Sequence, residues 1–394
     1  RDLMKKRICY VVQEYYPKDA RVRKYVNLVL ENGYTVDVIC LKREDDIPFE
    51  SDRGLKIHRI GLPKKRGGLL RYFLEYIIFF ILASFLLTKL HIKKKFDAVH
   101  INTLPDFLVF CAVIPKLLGA KIILDMHEVT PEFYMMKYNI GSRNIMIRIL
   151  KFIEMLSARY ADRLIVITDK MKKLFAERDR VKENKIDFIL NVPEKTPDFV
   201  KDNFDFRNRF NIVYHGTITK VYNIPAALEA VAEASKEIPH IKYHIFGEGE
   251  DVPILKERAE ELGIKDSVIF HGFLNHKEIL EELKKMDVGI LPWPKSILSD
   301  ISFSNKIAEY ISMGIPVIAS HMSSLDDYFS PGSIFYTENG KKISDILSEL
   351  YSDPKKAEAG SKKALMEYDK ITWDVMSRKY LGILDSLIRR MEKK

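Results

Sequence analysis

The sequence predicts an α/β protein made of two Rossmann-like domains. Three observations predict it. Short apolar, β-branched runs alternate with longer amphipathic ones. The alternation restarts after a stretch at 192–209 that holds prolines and charges but little periodicity. A length of 394 residues suits two domains.

In the first half, 7–12 reads as a strand and 20–32 as a helix with Gly33 as its stop. Residues 35–40 are a strand, β-branched at Thr35, Val36, Val38 and Ile39. The runs 98–101, 121–125, 164–167 and 186–190 continue the strand series. In the second half, 211–214, 241–246, 268–271, 288–291 and 317–319 are strands, and 224–235, 252–262 and 277–285 are helices between them. This alternation implies a parallel, doubly wound sheet in each half. The expected domains are 1–197 and 198–371, with a last helix at about 372–394 long enough to return to the first domain.

Hydrophobic residues at 47% and charged residues at 30% are an ordinary globular balance, which argues against extended disorder. The net charge of +9 favours anionic partners: nucleic acid, acidic lipid headgroups or phosphorylated small molecules. No basic stripe interleaved with aromatics is present, so nucleic acid ranks last. Cys9, Cys40 and Cys111 form no CxxC pair and no zinc spacing, the usage of a reducing compartment. Residues 1–7 carry no secretory leader pattern, and Met4 is a candidate natural start.

Residues 76–88 hold no charge and are flanked by Lys64, Lys65, Arg66 and Arg71 on one side and Lys89, Lys93, Lys94 and Lys95 on the other. Thirteen residues are too few for the roughly 20 that span a bilayer. A buried core helix fits the run. A helix lying in the membrane interface, with its cations on anionic lipid, fits it better.

The most informative stretch is 302–320, Ser-Phe-Ser-Asn-Lys-Ile-Ala-Glu-Tyr-Ile-Ser-Met-Gly-Ile-Pro-Val-Ile-Ala-Ser. Ser302 or Ser304 suits a helix cap. Lys306 falls in the first turn, where free N–H groups and the positive dipole end favour an anion. Glu309 lies one turn after Asn305 on the same face. Gly314 ends the helix and Pro316 opens a buried strand. A diphosphate on the helix N-terminus, with Glu309 accepting from a ribose, fits this pattern; so does an ordinary helix with an exposed Glu.

The stretch resembles the nucleotide-sugar motif of glycosyltransferase family four, Pro-Asn-Lys-x-x-Glu-Tyr-x-x-x-Gly-x-Pro-Val, from Asn305 onward, with Ser304 where the family often has Pro. Other stretches resemble the family in the right order: Pro17 to Arg23, Phe96 to His100, Lys121 to Glu128, Ala161 to Thr168, Leu190 to Pro193, Tyr214 to Thr217, Phe246 to Glu250, Phe270 to Phe273, Met286 to Pro292, and Trp373 at the start of the final helix. The resemblance covers nearly the whole chain. It implies the GT-B fold, two Rossmann-like domains facing each other across a cleft, and sugar transfer from a nucleoside diphosphate with retention.

Residue by residue, the resemblance implies a donor site of Gly216, Thr217, Lys220, Gly247, Phe273, Ser304, Asn305, Lys306 and Glu309. His127 and Lys220 are the expected catalytic residues, and Asp19, Arg21, Asn102 and Glu128 the expected acceptor contacts. His100, Asn102 and Asp106 all lie past the fourth strand, where acceptor contacts and chance polar loop residues explain them equally well. The chain departs from the family at four places. Ile301 stands where many members have a first Glu, with Asp300 adjacent; Thr217 stands for an Arg and Tyr222 for a Lys or Arg, both phosphate ligands, leaving Lys220 as the nearby cation. The glycine pair of the first loop is replaced by Lys18, Asp19 and Ala20.

The expected co-substrate is a nucleotide sugar, with uridine as the commonest donor base in such families. No metal or other cofactor is expected, since no DxD motif ends a strand and no His/Cys cluster exists. The expected acceptor is a lipid-linked sugar or cell-surface polysaccharide precursor, and the place of work the cytoplasmic face of the membrane, held through residues 69–95. Two rivals stand beside this reading: a non-catalytic homologue that binds a nucleotide sugar or a partner subunit, and a nucleotide-sugar epimerase, which would need cleft carboxylates the sequence does not obviously supply.

Overall fold

The computed structural model describes residues 6–62, 69–194, 198–338 and 340–392. Contacts divide the chain into two units, Arg1–Leu190 with Met376–Lys394, and Asn191–Val375.

The first unit runs β1 (Arg7–Tyr15), α1 (Ala20–Glu31), β2 (Thr35–Leu41), β3 (Phe49–Asp52), β4 (Leu55–Ile60), α2 (Leu69–Lys94), β5 (Ala98–Asn102), α3 (Val113–Leu117), β6 (Lys121–Met126), α4 (Thr130–Tyr138), α5 (Ile145–Tyr160), β7 (Arg163–Val166), α6 (Asp169–Glu177) and β8 (Ile186–Phe188). The sheet order is β3-β4-β2-β1-β5-β6-β7-β8. Every pairing is parallel except β3 with β4. Strands covered on both faces by helices read as continuous apolar runs, which is why β1, β2, β5 and β6 are visible in the sequence. The hairpin of β3 and β4 is not, because all four residues of β3 are exposed and mostly polar.

The second unit runs β9 (Phe210–His215), α7 (Ile224–Ala234), β10 (Ile241–Phe246), α8 (Val252–Glu261), β11 (Val268–Gly272), α9 (His276–Leu283), β12 (Val288–Leu291), α10 (Ile297–Ile301), α11 (Asn305–Ser312), β13 (Val317–Ser320), β14 (Phe335–Thr337), α12 (Ile343–Ser352) and α13 (Pro354–Tyr368). Its sheet is parallel throughout, in the order β11-β10-β9-β12-β13-β14. The stretch read as a linker is largely part of this unit. Phe204 and Phe206 are buried against Phe210, and the buried Lys201 ammonium donates to Asp287 at 2.7 Å.

The last helix, α14 (Trp373–Glu392), belongs to the first unit from Met376 onward. It is pinned there by a buried hydroxyl chain: Tyr380 Oη lies 2.8 Å from Tyr10 Oη and 2.7 Å from His100 Nδ1.

Helix α2 is longer than its uncharged core suggests. Phe73–Lys94 is long and apolar enough, by length and composition, to cross a bilayer. Yet Phe79, Ala83, Leu87 and Leu90 are buried in the unit at helical spacing, so one face is committed to protein. The basic residues 64–66 before it lie outside the described residues.

Candidate functional site

Helix α11 starts at Asn305 with Ser304 as N-cap, but the Ser304 side chain makes no capping bond. Ser302 does not cap it either: it ends α10, and its carbonyl accepts from Ser324 Oγ. The first N–H groups of the helix are therefore left for a ligand. A cavity of about 460 Å³ opens at this point. It is lined by the residues that follow the carboxyl ends of β9, β10 and β11, and by Asn305, Lys306 and Glu309. Ligands of open parallel sheets lie at this edge.

Two glycines let the loops close on one another. Gly247 has φ +139°, and a Cβ there would sit 1.9 Å from the Gly216 carbonyl oxygen. Gly216 has φ +123°, and a Cβ there would sit 2.4 Å from Lys306 Cε. The Gly216 N–H donates to Phe246 O at 2.8 Å and the Gly247 N–H to Gly272 O at 2.7 Å, so three strand ends are tied edge to edge.

Lys306 projects over this junction. Its Nζ lies 4.1 Å from the centroid of the Tyr222 ring and 5.5 Å from that of Tyr214. Burial lowers its ammonium pKa to about 8, against the opposite pull of Glu309.

Glu309 is buried between two histidines. His215 Nε2 is 3.1 Å from Oε2 and His276 Nε2 is 3.2 Å from Oε1. Burial alone would push the carboxyl up, but the two histidines outweigh it and hold it at about 2. The His215 backbone N–H donates to the buried Tyr310 hydroxyl at 3.2 Å, and its ring meets the Tyr310 ring edge-on at 5.1 Å. An ionised carboxylate one turn inside a helix N-terminus, next to a partly desolvated ammonium, suits a ligand that carries both hydroxyls and an anion.

The first unit gathers a second cluster at the carboxyl edge of β6. Asp125 is fully buried, and its Oδ2 lies 2.7 Å from His127 Nε2 and 3.3 Å from His100 Nε2. Burial pushes the Asp125 carboxyl up, but His127, His100 and Arg21 hold it well below the usual carboxylate range. Burial, with Arg21, lowers His127 to about 4 against the pull of Asp125. The imidazole is thus neutral near pH 7, and neither ring nitrogen of His127 has a hydrogen-bond partner among the described residues, although Nε2 stands 2.7 Å from Asp125 Oδ2.

Residues 22–192 match the family model described as Glycosyltransferase Family 4, and residues 195–365 match Glycosyl transferases group 1. The chain belongs to the family-four glycosyltransferases. Over 135 residues it is 32% identical to the alpha-monoglucosyldiacylglycerol synthase of Streptococcus pneumoniae, an alignment that covers 34% of this chain and 29% of that protein. Among solved structures, sucrose-phosphate synthase from Thermosynechococcus elongatus superposes with a TM-score of 0.75 at 15% identity, covering 98% of this chain and all of that one. Anabaena Alr3699/HepE, solved in complex with UDP-glucose, gives 0.70 at 13% identity, covering 96% and 99%. The fold is GT-B.

In this glycosyltransferase the cavity brings together Gly216, Thr217, Gly247, Phe273, Asn305, Lys306 and Glu309, with Ser304 at the cap. Lys220 is not among the lining residues: it is exposed on the turn Lys220–Tyr222, and Lys306 is the cation at the cavity instead. Asp300 does not replace the Glu missing at Ile301, because its Oδ1 accepts the Ser323 N–H at 3.0 Å. His215 and His276 were not singled out by sequence. The signal for His215 was its place between a strand and a glycine; for His276 there was none. In the first unit, Asn102 is corrected from acceptor contact to sheet residue. It is the last residue of β5, fully buried, and its amide donates to Val11 O at 3.3 Å. His100 is likewise inside β5, and Asp106 is buried and accepts from Thr130 Oγ1 at 3.1 Å. Asp19 caps α1, accepting from the Arg21 and Val22 N–H groups at 3.0 and 3.1 Å. Arg21 reaches Thr103 O at 3.4 Å, and Glu128 is exposed.

Proposed function

We propose that this chain transfers a sugar from a uridine diphosphate sugar to a hydroxyl of a lipid-linked acceptor, with retention of anomeric configuration, at the cytoplasmic face of a membrane. The observation that carries the donor half is the Glu309 carboxylate, held ionised between His215 and His276 in the cavity at the start of α11. Glu309 accepts the ribose hydroxyls. Lys306 and the N–H groups of the first turn take the diphosphate, where negative charge grows as the sugar leaves. His127 Nδ1 accepts a hydrogen bond from a hydroxyl of the transferred sugar, and Arg21 and Glu128 meet the acceptor. The uridine base is supported by the UDP-glucose bound to Alr3699/HepE, and the lipid acceptor by the diacylglycerol in the name of the pneumococcal relative. No metal ion takes part in this reading.

Thermal shift of the purified chain against UDP, GDP, ADP and dTDP, followed by turnover with the matching glucose esters, tests it. Binding confined to the folded state raises the melting temperature by mass action. A shift with UDP that Glu309→Ala abolishes supports the donor site. A flat panel overturns it.

A further inference from the structure

The first unit exposes apolar residues on three helices, not one. On α2 the face opposite the buried stripe exposes Phe73, Leu74, Ile81, Leu82 and Phe85, the last at 73%. On α5, Ile145, Ile149, Phe152 and Leu156 recur every three to four residues and all are exposed. Such a stripe normally faces a core. Between them α3 ends in Leu117 and Leu118, exposed by 77% and 58%. All three helices pack on the same 3-10 turn, Asp106–Ala112, and α2 also packs on α3.

Charge on these helices is one-sided. Arg71, Lys89, Lys93, Lys116, Arg148 and Lys151 are among their cations, Arg71 paired with Glu75 and Lys151 with Glu132, while their only carboxylates, Glu75 and Glu154, are buried. A second copy of the same face would set cation against cation. An anionic bilayer complements both the apolar stripe and its rim.

Where α3 and α5 end, two cavities of about 290 and 480 Å³ share Lys182 and Lys185. Lys121, Asp162, Arg163, Asn184 and Leu387 complete the first and Arg159, Arg180 and Val181 the second. Asp162, in the first, is already engaged: its Oδ2 accepts the Ile122 N–H at 2.8 Å and lies 3.7 Å from Lys116 Nζ. Lys116 also stands 4.2 Å over the Tyr160 ring at the end of α5, which joins the cavities to the apolar face.

We propose that α2, α3 and α5 together seat the first unit on a bilayer, and that the paired cavities at Lys182 and Lys185 hold the phosphate of an anionic lipid headgroup. This deepens the membrane part of the reading above and does not depend on its donor chemistry.

The test is co-sedimentation of the full chain with vesicles of phosphatidylcholine alone and of phosphatidylcholine mixed with phosphatidylglycerol. The wild type should partition at least about tenfold better onto the anionic vesicles. Ile149→Glu with Phe152→Glu, both exposed and outside the donor cavity, should lower partition onto both by about tenfold or more. Arg180→Glu with Lys182→Glu should lower only the anionic gain, leaving the part that the helix cations supply. The UDP thermal shift of each variant, unchanged, shows that the fold and donor site are intact, so failure of the two readings is told apart. Equal partition of the α5 variant and wild type overturns the seat. No preference for anionic vesicles overturns the headgroup site, as does a Lys182-dependent thermal shift with inorganic phosphate in a chain that does not bind vesicles. A dimer in lipid-free solution that Phe152→Glu disperses assigns the face to a second copy and overturns the proposal.

Discussion

Tyr222 lies beneath Lys306, with the ammonium 4.1 Å from the ring centroid. Position 222 is where the family often places a basic phosphate ligand. Here the ring holds the cation that another part of the chain supplies. A cation over an aromatic face gains about 0.5–2 kcal/mol, the more so when desolvated. Tyr222→Phe should therefore leave UDP affinity within about twofold, and Tyr222→Ala should lower it by about three- to thirtyfold, measured by titration calorimetry. Equal losses in the two variants would show that the hydroxyl, not the ring, matters.

The Lys306 ammonium also sets a pH limit. Burial lowers its pKa to about 8, so the cation is present below that value and lost above it. Binding of a diphosphate should weaken as pH rises from 7 to 9. Lys306→Arg should remove the decline, since a guanidinium stays protonated throughout. Glu309 does not contribute a slope in this range, because its carboxyl, held at about 2, is ionised at every pH used. A wild-type affinity that is level from pH 7 to 9 would refute the role given to Lys306.

The residues around Lys306 show what the sequence could and could not disclose. Asn305, Lys306 and Glu309 are legible because one helical turn sets their spacing and one cap sets their start. His276 is not, because it reaches Glu309 from the start of α9, after a different strand, and no local pattern marks it. Asn102 was misplaced by one residue of strand length: β5 runs through it, and the side chain taken for a loop ligand is inside the sheet. The strands β3 and β14 are short, and β3 is exposed and mostly polar, so hydrophobic patterning had nothing to register. Helical periodicity in α5 is plain, yet periodicity does not say whether a stripe faces core or solvent.

His276 and His215 are expected to differ as partners of Glu309. His215 is largely buried and meets the Tyr310 ring edge-on, whereas the His276 side chain is 64% exposed on the cavity rim. In the proposed donor complex a ribose hydroxyl would compete with His276 for Oε1. His276→Ala should preserve UDP affinity or raise it, while His215→Ala should weaken it by about tenfold or more, because a buried carboxylate loses a charge-assisted partner. Calorimetric titration of both variants decides the order; a loss in His276→Ala as large as in His215→Ala would make His276 a direct ligand.

Gly247 should be irreplaceable for a steric reason as well as a conformational one. Gly247→Ala places a Cβ 1.9 Å from the Gly216 carbonyl, at φ +139°. Gly263→Ala is the control: it has φ +68° with no atom within 4 Å of the added Cβ. Strain of a positive φ alone costs about 1–3 kcal/mol. The control should lose a few degrees of melting temperature and keep its UDP shift. Gly247→Ala should lose more and bind no UDP, since the β9 and β10 loops must part. Matching behaviour of the two variants would mean that the loop contact is not needed.

His127 carries the last expectation, one of stability and turnover together. Its folded pKa of about 4 lies below the ordinary value near 6.5, so the unfolded chain binds the proton more readily between these values. The stabilisation is fully present above about pH 6.5 and is lost progressively as pH falls toward 4. His127→Gln should flatten that loss, read as the melting temperature at pH 7 and pH 5 by circular dichroism. In the same variant UDP affinity should be unchanged, because the donor nucleotide cavity is formed by the second unit alone. Turnover should fall by about ten- to a hundredfold as the acceptor atom Nδ1 is replaced by an amide. A variant with wild-type turnover but the flattened pH response would leave His127 as a structural partner of Asp125 and nothing more.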